Sequence, residues 1–287
     1  MKVGIIGAGA WGTAIGVVAA QGGSDVILWS FDGLYKEFDG VTMPKNLRVT
    51  TDMSEIAQTD VWVAVTPSAF FRETMARTRE FYNNQPVIIC TKGAESKTCA
   101  FMSEILNDVL PECTDYGVLS GPQFAAEVAR GCPTGSTLAA MPRTRVAGHK
   151  IFNKIYLSDS DDIIGTEYCG VGKNAVALIC GYNCIATSSE NERALVFTRA
   201  WNEVVAMGCA LGAHAETFLD LCGIGDLFLC ATSPTSRNFA GGMALARGEK
   251  VIGTVEGMFA VPGLIARAEK IGVKTPVLKE MCEKMKL

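Results

Sequence analysis

The chain has only two histidines, His149 and His214, and no Cys-x-x-Cys pair. A metal centre built from imidazoles and paired thiolates therefore lacks its usual ligands. Cys180 and Cys184 stand one helical turn apart, but with no partner ligands they read as core residues, and no metal is expected. Basic charge is scarce too: 26 Lys and Arg are set against 30 Asp and Glu, for a net charge of −4 and a pI of 5.4. That balance argues against a nucleic-acid partner, whose binding domains are usually basic. No polybasic block is present to hold an anionic membrane, and no apolar run reaches the length of a spanning helix. Eleven cysteines occur, an odd number scattered without repeated spacing, so a disulfide framework is missing as well. Free thiols in this number persist best in a reducing compartment, and the expected location is the cytoplasm.

Glycine, by contrast, is plentiful at the start. Gly4, Gly7, Gly9, Gly12 and Gly16 punctuate the first apolar stretch. A secretory leader needs an unbroken apolar segment, which these glycines deny it. The alternative is a strand, Lys2–Ile6, that enters a tight turn and then a helix. Gly7-Ala8-Gly9-Ala10-Trp11-Gly12 satisfies G-x-G-x-x-G between that strand and a small-residue helix. In such a turn the first glycine allows the bend, the second admits a pyrophosphate, and the third lets helix and strand pack closely. The helix then offers unpaired N–H groups to the phosphates. Asp32, just after the next strand, suits ribose hydroxyls and repels a 2′-phosphate, favouring NAD(H), with NADP(H) not excluded. A glycine-rich turn with no ligand is the competing reading.

Organisation along the chain changes once. Candidate strands Lys2–Ile6, Val26–Ser30, Val61–Val65, Val87–Cys90 and Tyr116–Leu119 alternate with candidate helices Thr13–Gln21, Phe70–Tyr82 and Ser96–Leu110. That alternation predicts a doubly wound parallel α/β sheet, which Thr137–Met141 and Lys154–Leu157 could extend. From Tyr168 to Leu211 the pattern is helical, broken near Thr187–Glu190. Further helices are expected over Pro234–Ala246, Val261–Lys270 and Pro276–Lys286. The expected division is a Rossmann-type dinucleotide domain, residues 1–162, and an all-helical substrate and catalytic domain, residues 163–287. The junction is placed in a loop at Ser158–Gly165.

Four polar stretches stand out against this background. Val63-Ala64-Val65-Thr66-Pro67-Ser68 ends a strand where ligand crevices form, although Ser68 is equally explained as a helix cap. Lys92 follows another strand and could meet an anion or lie in solvent. Lys173 precedes the apolar run Ala175–Cys180, so it is either a buried lysine with a lowered pKa suited to proton transfer or one that snorkels outward. Arg237, inside the Thr232–Asn238 cluster, opposes a helix dipole unless an anion relieves it; a surface arginine on a cap is the plainer alternative.

Taken together, "GAGAWGTA", "VAVTPSAFFRE", "TKGAE", "LSGPQFAAEVARGCPTG", "GVGKNAVALICGY" and "GIGDLFLCATSPTSRN" resemble the NAD(P)-dependent glycerol-3-phosphate dehydrogenases of the soluble bacterial type, over nearly the whole chain. The resemblance implies reversible hydride transfer between NAD(P)H and dihydroxyacetone phosphate, giving sn-glycerol 3-phosphate for glycerophospholipid synthesis, by a homodimer. It implies Lys173 as the proton-transferring residue, with Asp226 and Asn174 orienting it. Lys92 would contact cofactor and substrate. Gly121, Gln123, Ser236, Arg237 and Asn238 would line the phosphorylated substrate. On the cofactor side the implied contacts are Ala10, Trp11, Ala125, Arg237, Thr254 and Glu256. Three positions depart from the pattern: Phe31 replaces a common basic residue, Gln123 stands where Ser or Thr is usual, and Cys230 stands where Thr is usual. A reductase of a related phosphorylated ketone is one alternative, as is a β-hydroxyacid or ketopantoate-type dehydrogenase. The second type sets its asparagine about a turn beyond the lysine, whereas Asn174 is adjacent. A nucleotide sensor without chemistry would need the glycine turn but not Lys173.

Overall fold

The computed structural model describes residues 1–95 and 98–287, which divide into two units. The first comprises Met1–Lys92, Phe101–Leu119 and Gln123–Ile163; the second comprises Gly93–Ala100, Ser120–Pro122 and Ile164–Leu287.

In the first unit, strands Lys2–Ile6 (β1), Asp25–Trp29 (β2), Leu47–Thr50 (β3), Val61–Ala64 (β4), Val87–Ile89 (β5), Tyr116–Ser120 (β6), Gly135–Ala140 (β7) and Tyr156–Ser160 (β8) form one sheet, although Ser120 clusters with the second unit. Its order is β3-β2-β1-β4-β5-β6-β7-β8. Pairing is parallel between β1 and both its neighbours, β2 and β3, β4 and β5, β5 and β6, and β7 and β8. Val3 sits opposite both Val26 and Val61, so the central register joins β-branched residues buried on both faces. The chain reverses direction of growth between β1 and β4, the switch point at which such sheets bind ligands.

Helix Ala10–Gln21 (α1) is buried from Gly12 to Ala20, which explains why its sequence is apolar all round and resembled a leader. Helices Ser68–Thr78 (α2), Met102–Val109 (α3), Ala125–Ala129 (α4) and Pro142–Ile151 (α5) complete the unit. The sequence reading placed a helix from Ser96; Ser96 and Lys97 lie outside the described residues, and the described helix starts at Met102. The expected loop at Ser158–Gly165 is largely absent. Strand β8 runs to Ser160 and the next helix starts at Ile163.

The second unit is helical: Ile163–Ala186 (α6), Glu190–Ala210 (α7), Asp226–Ala231 (α8), Arg237–Arg247 (α9), Gly257–Lys270 (α10) and Pro276–Met285 (α11). Every residue of α6 from Gly165 to Ile179 is buried, so this helix is the axis of the unit's core. Helix α9 approaches it at backbone distance. A Cβ on Gly181 would lie 1.9 Å from the Phe239 carbonyl oxygen, and one on Gly242 would lie 2.0 Å from that of Leu178. Only glycine fits either position, and the closeness brings the first turn of α9 alongside Asn174. The Glu203 carboxylate on α7 accepts hydrogen bonds from Val277 N (2.8 Å) and Leu278 N (3.0 Å), satisfying the first turn of α11. Among the described residues no helix is long and apolar enough to cross a membrane.

Candidate active site

At the carboxyl end of β1 the chain turns through Gly7, whose φ of +118° is in the region that favours glycine. A Cβ at Gly12 would lie 1.8 Å from the Gly7 carbonyl oxygen, whereas one at Gly9 would have nothing within 4 Å. The turn is therefore closed on the protein side at Gly12 and open at Gly9. Helix α1 begins there with no side-chain cap and no acidic residue in its first turn. Its N-terminal N–H groups are the donors that an anion would satisfy.

Among the buried polar atoms with no hydrogen-bond partner near these strand ends are Trp11 Nε1 after β1, Thr66 Oγ1 after β4, and both amide atoms of Gln123 after β6. A buried polar atom left unpaired costs about 1–3 kcal/mol. Their grouping at one end of the sheet fits a dinucleotide with hydrogen-bonding groups of its own. Asp32, past the end of β2, accepts from Leu34 N and Ser30 Oγ, both at 3.0 Å. The Leu34 amide, followed by the Ser30 hydroxyl, holds its carboxyl below the usual carboxylate range, so it is ionised where ribose hydroxyls would lie. Phe31 beside it is 77% exposed and offers no positive charge to a 2′-phosphate.

In the second unit Lys173 is buried in α6 and faces α8. Its Nζ lies 3.3 Å from Asp226 Oδ1 and 3.0 Å from Cys230 Sγ. Asp226 and Cys230 are four residues apart on α8, hence on one face, and the Cys230 Sγ–H donates to Asp226 Oδ1 at 3.3 Å. The three groups close a triangle. Burial is the largest influence on Lys173 and pulls its pKa down, as the sequence reading anticipates. The Asp226 carboxylate and then Cys230 more than offset it, and the pKa ends above the ordinary lysine value. The expected shift toward neutrality is thus overturned: Lys173 is a charged acid with a proton to donate.

Asn174, one residue on, accepts at Oδ1 from Asn238 Nδ2 (2.7 Å), while Asn238 Oδ1 accepts from Gly257 N (2.9 Å). Asn238 therefore fixes the Asn174 amide and the start of α10, which begins a turn earlier than the sequence suggests. Asn174, Glu256 and Phe259 line a cavity of about 330 Å³ together with Gly93, Ala94, Glu95 and Cys99. Arg267 ties Cys99 to α6, donating to Cys99 O and to the Tyr168 hydroxyl, both at 3.0 Å. Ser236 caps α9 by accepting from Phe239 N (3.4 Å). Arg237, the first residue of α9, is exposed and has no ion-pair or hydrogen-bond partner among the described residues. An unbalanced cation at a helix N-terminus is unfavourable until an anion joins it.

Of the residues singled out from sequence, the first unit holds Gly7, Gly9, Ala10, Trp11, Gly12, Asp32, Lys92, Gln123 and Ala125, and Ala125 opens α4. The second holds Gly121, Lys173, Asn174, Asp226, Ser236, Arg237, Asn238, Thr254 and Glu256. Direct contacts join Lys173 to Asp226 and Asn174 to Asn238. Sequence reasoning noted Cys230 only as a departure from a family pattern and did not place it in the site. Its spacing of four from Asp226 was the available signal. Thr66 was noted only as part of a strand-end motif.

Residues 2–146 match the family model described as the NAD-dependent glycerol-3-phosphate dehydrogenase N-terminus, and residues 162–285 match the corresponding C-terminus. A relative from Parvibaculum lavamentivorans named glycerol-3-phosphate dehydrogenase [NAD(P)+] is 37% identical, with 96% of this chain and 89% of the relative covered. One of the same name from Afipia carboxidovorans is 39% identical over the same shares. The crystal structure of glycerol-3-phosphate dehydrogenase from Coxiella burnetii superposes with a TM-score of 0.90 at 27% identity, covering 99% of this chain and 94% of that one. The chain belongs to the NAD-dependent glycerol-3-phosphate dehydrogenase family.

Proposed function

We propose that the chain catalyses the reversible transfer of a hydride between NAD(P)H and dihydroxyacetone phosphate, giving sn-glycerol 3-phosphate for glycerophospholipid synthesis. The observation that carries this is the buried Lys173–Asp226–Cys230 cluster beside Asn174, in a chain that belongs to a hydride-transferring family. Residues 1–162 take the dinucleotide and residues 163–287 take the substrate and move the proton. A bound nicotinamide supplies the hydride that the substrate's C2 accepts.

The chain's own groups do the rest. Lys173 donates its proton to the oxygen at C2 as negative charge develops there, and takes it back in the reverse direction. Asp226 keeps the lysine charged, and Asn174 offers its remaining amide hydrogens to the substrate oxygens. Arg237, with the N–H groups of α9, Ser236, Asn238, Lys92, Gly121 and Gln123, holds the phosphate end. That hold is remote from the reacting carbon, so it orients the ketone without weakening the differential stabilisation of the transition state. On the cofactor side Gly7, Gly9, Ala10 and Gly12 receive the pyrophosphate. Trp11, Ala125, Arg237, Thr254 and Glu256 flank the dinucleotide, and ionised Asp32 beside Phe31 favours NADH over NADPH. A homodimer acting in the cytoplasm belongs to the same reading.

Oxidation of NADH by the purified protein, followed by loss of its near-ultraviolet absorbance, tests the assignment. Dihydroxyacetone phosphate is expected to turn over. Dihydroxyacetone, lacking the phosphate, should lose about 100-fold in kcat/KM, the scale of one or two charge-assisted hydrogen bonds. NADPH should be the poorer reductant. Intact NADH binding without turnover of dihydroxyacetone phosphate would contradict the assignment.

A further inference from the structure

Lysine ammonium groups have three N–H donors on a flexible stem, and a single carboxylate does not fix their direction. Lys173 has a second contact. Cys230 Sγ is nearer to Nζ, at 3.0 Å, than the Asp226 oxygen at 3.3 Å, and the thiol proton is directed at that same carboxylate oxygen. All three side chains are buried, with exposures of 7% for Lys173, 1% for Asp226 and 5% for Cys230. Little of the cluster is open to water.

We propose that Cys230 is a positioning residue for Lys173. Its sulfur accepts one ammonium N–H while its own proton goes to Asp226, so the lysine is held at two points and its third N–H is aimed at the substrate oxygen. The inference rests on the dehydrogenase reading, with Lys173 as the proton donor. It assigns to a thiol a task that the backbone geometry of α8 prepares: a spacing of four residues places carboxylate and sulfur side by side, and their separation matches the reach of one ammonium group. Sulfur is a weak acceptor and S–H a weak donor. A hydroxyl in the same place should therefore do the task at least as well, whereas a methyl group cannot do it at all.

The test compares wild type with Cys230→Ser, Cys230→Thr and Cys230→Ala in the NADH and dihydroxyacetone phosphate assay. Cys230→Ala should lower kcat about 10- to 100-fold, the penalty for a misaligned catalytic group, while KM for the ketone and Kd for NADH stay within about threefold. Cys230→Ser or Cys230→Thr should restore kcat to within about threefold of wild type, because each returns a donor and an acceptor. Thermal melts confirm that the variants are folded. Wild-type kcat in Cys230→Ala would overturn the inference. So would an equal loss in Ala, Ser and Thr variants with matching falls in melting temperature, which would mark a packing role. Absence of turnover by the wild type would instead overturn the dehydrogenase reading on which the inference stands.

Discussion

Lys173→Ala is expected to lower kcat about 1,000-fold, within the range of about 10² to 10⁴ that general acid–base groups contribute. NADH should still bind with about its wild-type Kd, because Lys173 is not among the residues proposed to hold the dinucleotide. Three features make the loss large. Nζ is held against Asp226 and Cys230 in a largely buried side chain, so little solvent is at hand to replace it as the donor. Its pKa is held above the ordinary lysine value, so the proton is present throughout the working range. Finally, His149 and His214, the chain's two histidines, lie outside this cluster, and His149 faces Asp159 in the first unit. The substitution also takes the Lys173 charge away from the buried Asp226 carboxylate, and breaking a buried ion pair is destabilising. Lys173→Met, which fills the space, is the companion variant. Kinetics and NADH fluorescence titration on both variants check the prediction. Retained turnover in either would remove Lys173 from the proton-transfer role.

The raised pKa also sets the sign of the pH dependence. Reduction uses the charged lysine, and its kcat/KM should show no loss from Lys173 until above the ordinary lysine value of 10.5. Oxidation of glycerol 3-phosphate uses the neutral form, so its kcat/KM should climb steadily toward alkaline pH.

The second large effect is expected in the glycine turn, where two neighbouring substitutions should behave differently. At Gly12 an added Cβ meets the Gly7 carbonyl oxygen at 1.8 Å, a backbone atom that cannot swing aside. Gly12→Ala must open the turn or displace the buried helix α1, and both stability and NADH binding should suffer. An affinity loss of about 100-fold corresponds to about 2.7 kcal/mol. Gly9 has ordinary backbone angles, φ −65° and ψ −176°, and empty space where a Cβ would go. Gly9→Ala should therefore melt at nearly the wild-type temperature, yet lose NADH affinity because the methyl group occupies the approach of the pyrophosphate. Melting curves and NADH titrations on the pair separate the two effects. Unchanged NADH affinity in Gly9→Ala would place the cofactor elsewhere.

Much of this architecture was written in local pattern. Strand β1 follows its predicted limits, and the break between α6 and α7 falls where Thr187–Glu190 interrupts the apolar run. Strand β3 was missed because it is a four-residue edge strand in which Arg48 and Thr50 alternate with Leu47 and Val49, too short to show a period. Helix α5 was missed for a related reason: Pro142-Arg-Thr-Arg reads as a turn, although proline at the first helical position favours a helix start. In the site, the identity of Lys173 as an unusual lysine was legible from the apolar residues after it. The direction of its pKa was not. Burial is visible in a sequence, but the carboxylate and sulfur that outweigh it arrive from α8, more than fifty residues away. Asn238 was assigned to substrate, and the structure shows that it also joins Asn174 to the first residue of α10, a link that depends on how closely α9 approaches α6.

A hydride delivered to C2 of dihydroxyacetone phosphate can be followed by isotope. The most direct measurement supplies NADH deuterated at the transferable C4 position, and locates the label in the product by mass spectrometry and proton NMR. One deuterium per glycerol 3-phosphate, bound at C2, is expected, and none in product formed with unlabelled NADH. Product without deuterium from either C4-deuterated epimer of NADH, or deuterium at any other carbon, would contradict hydride transfer to C2.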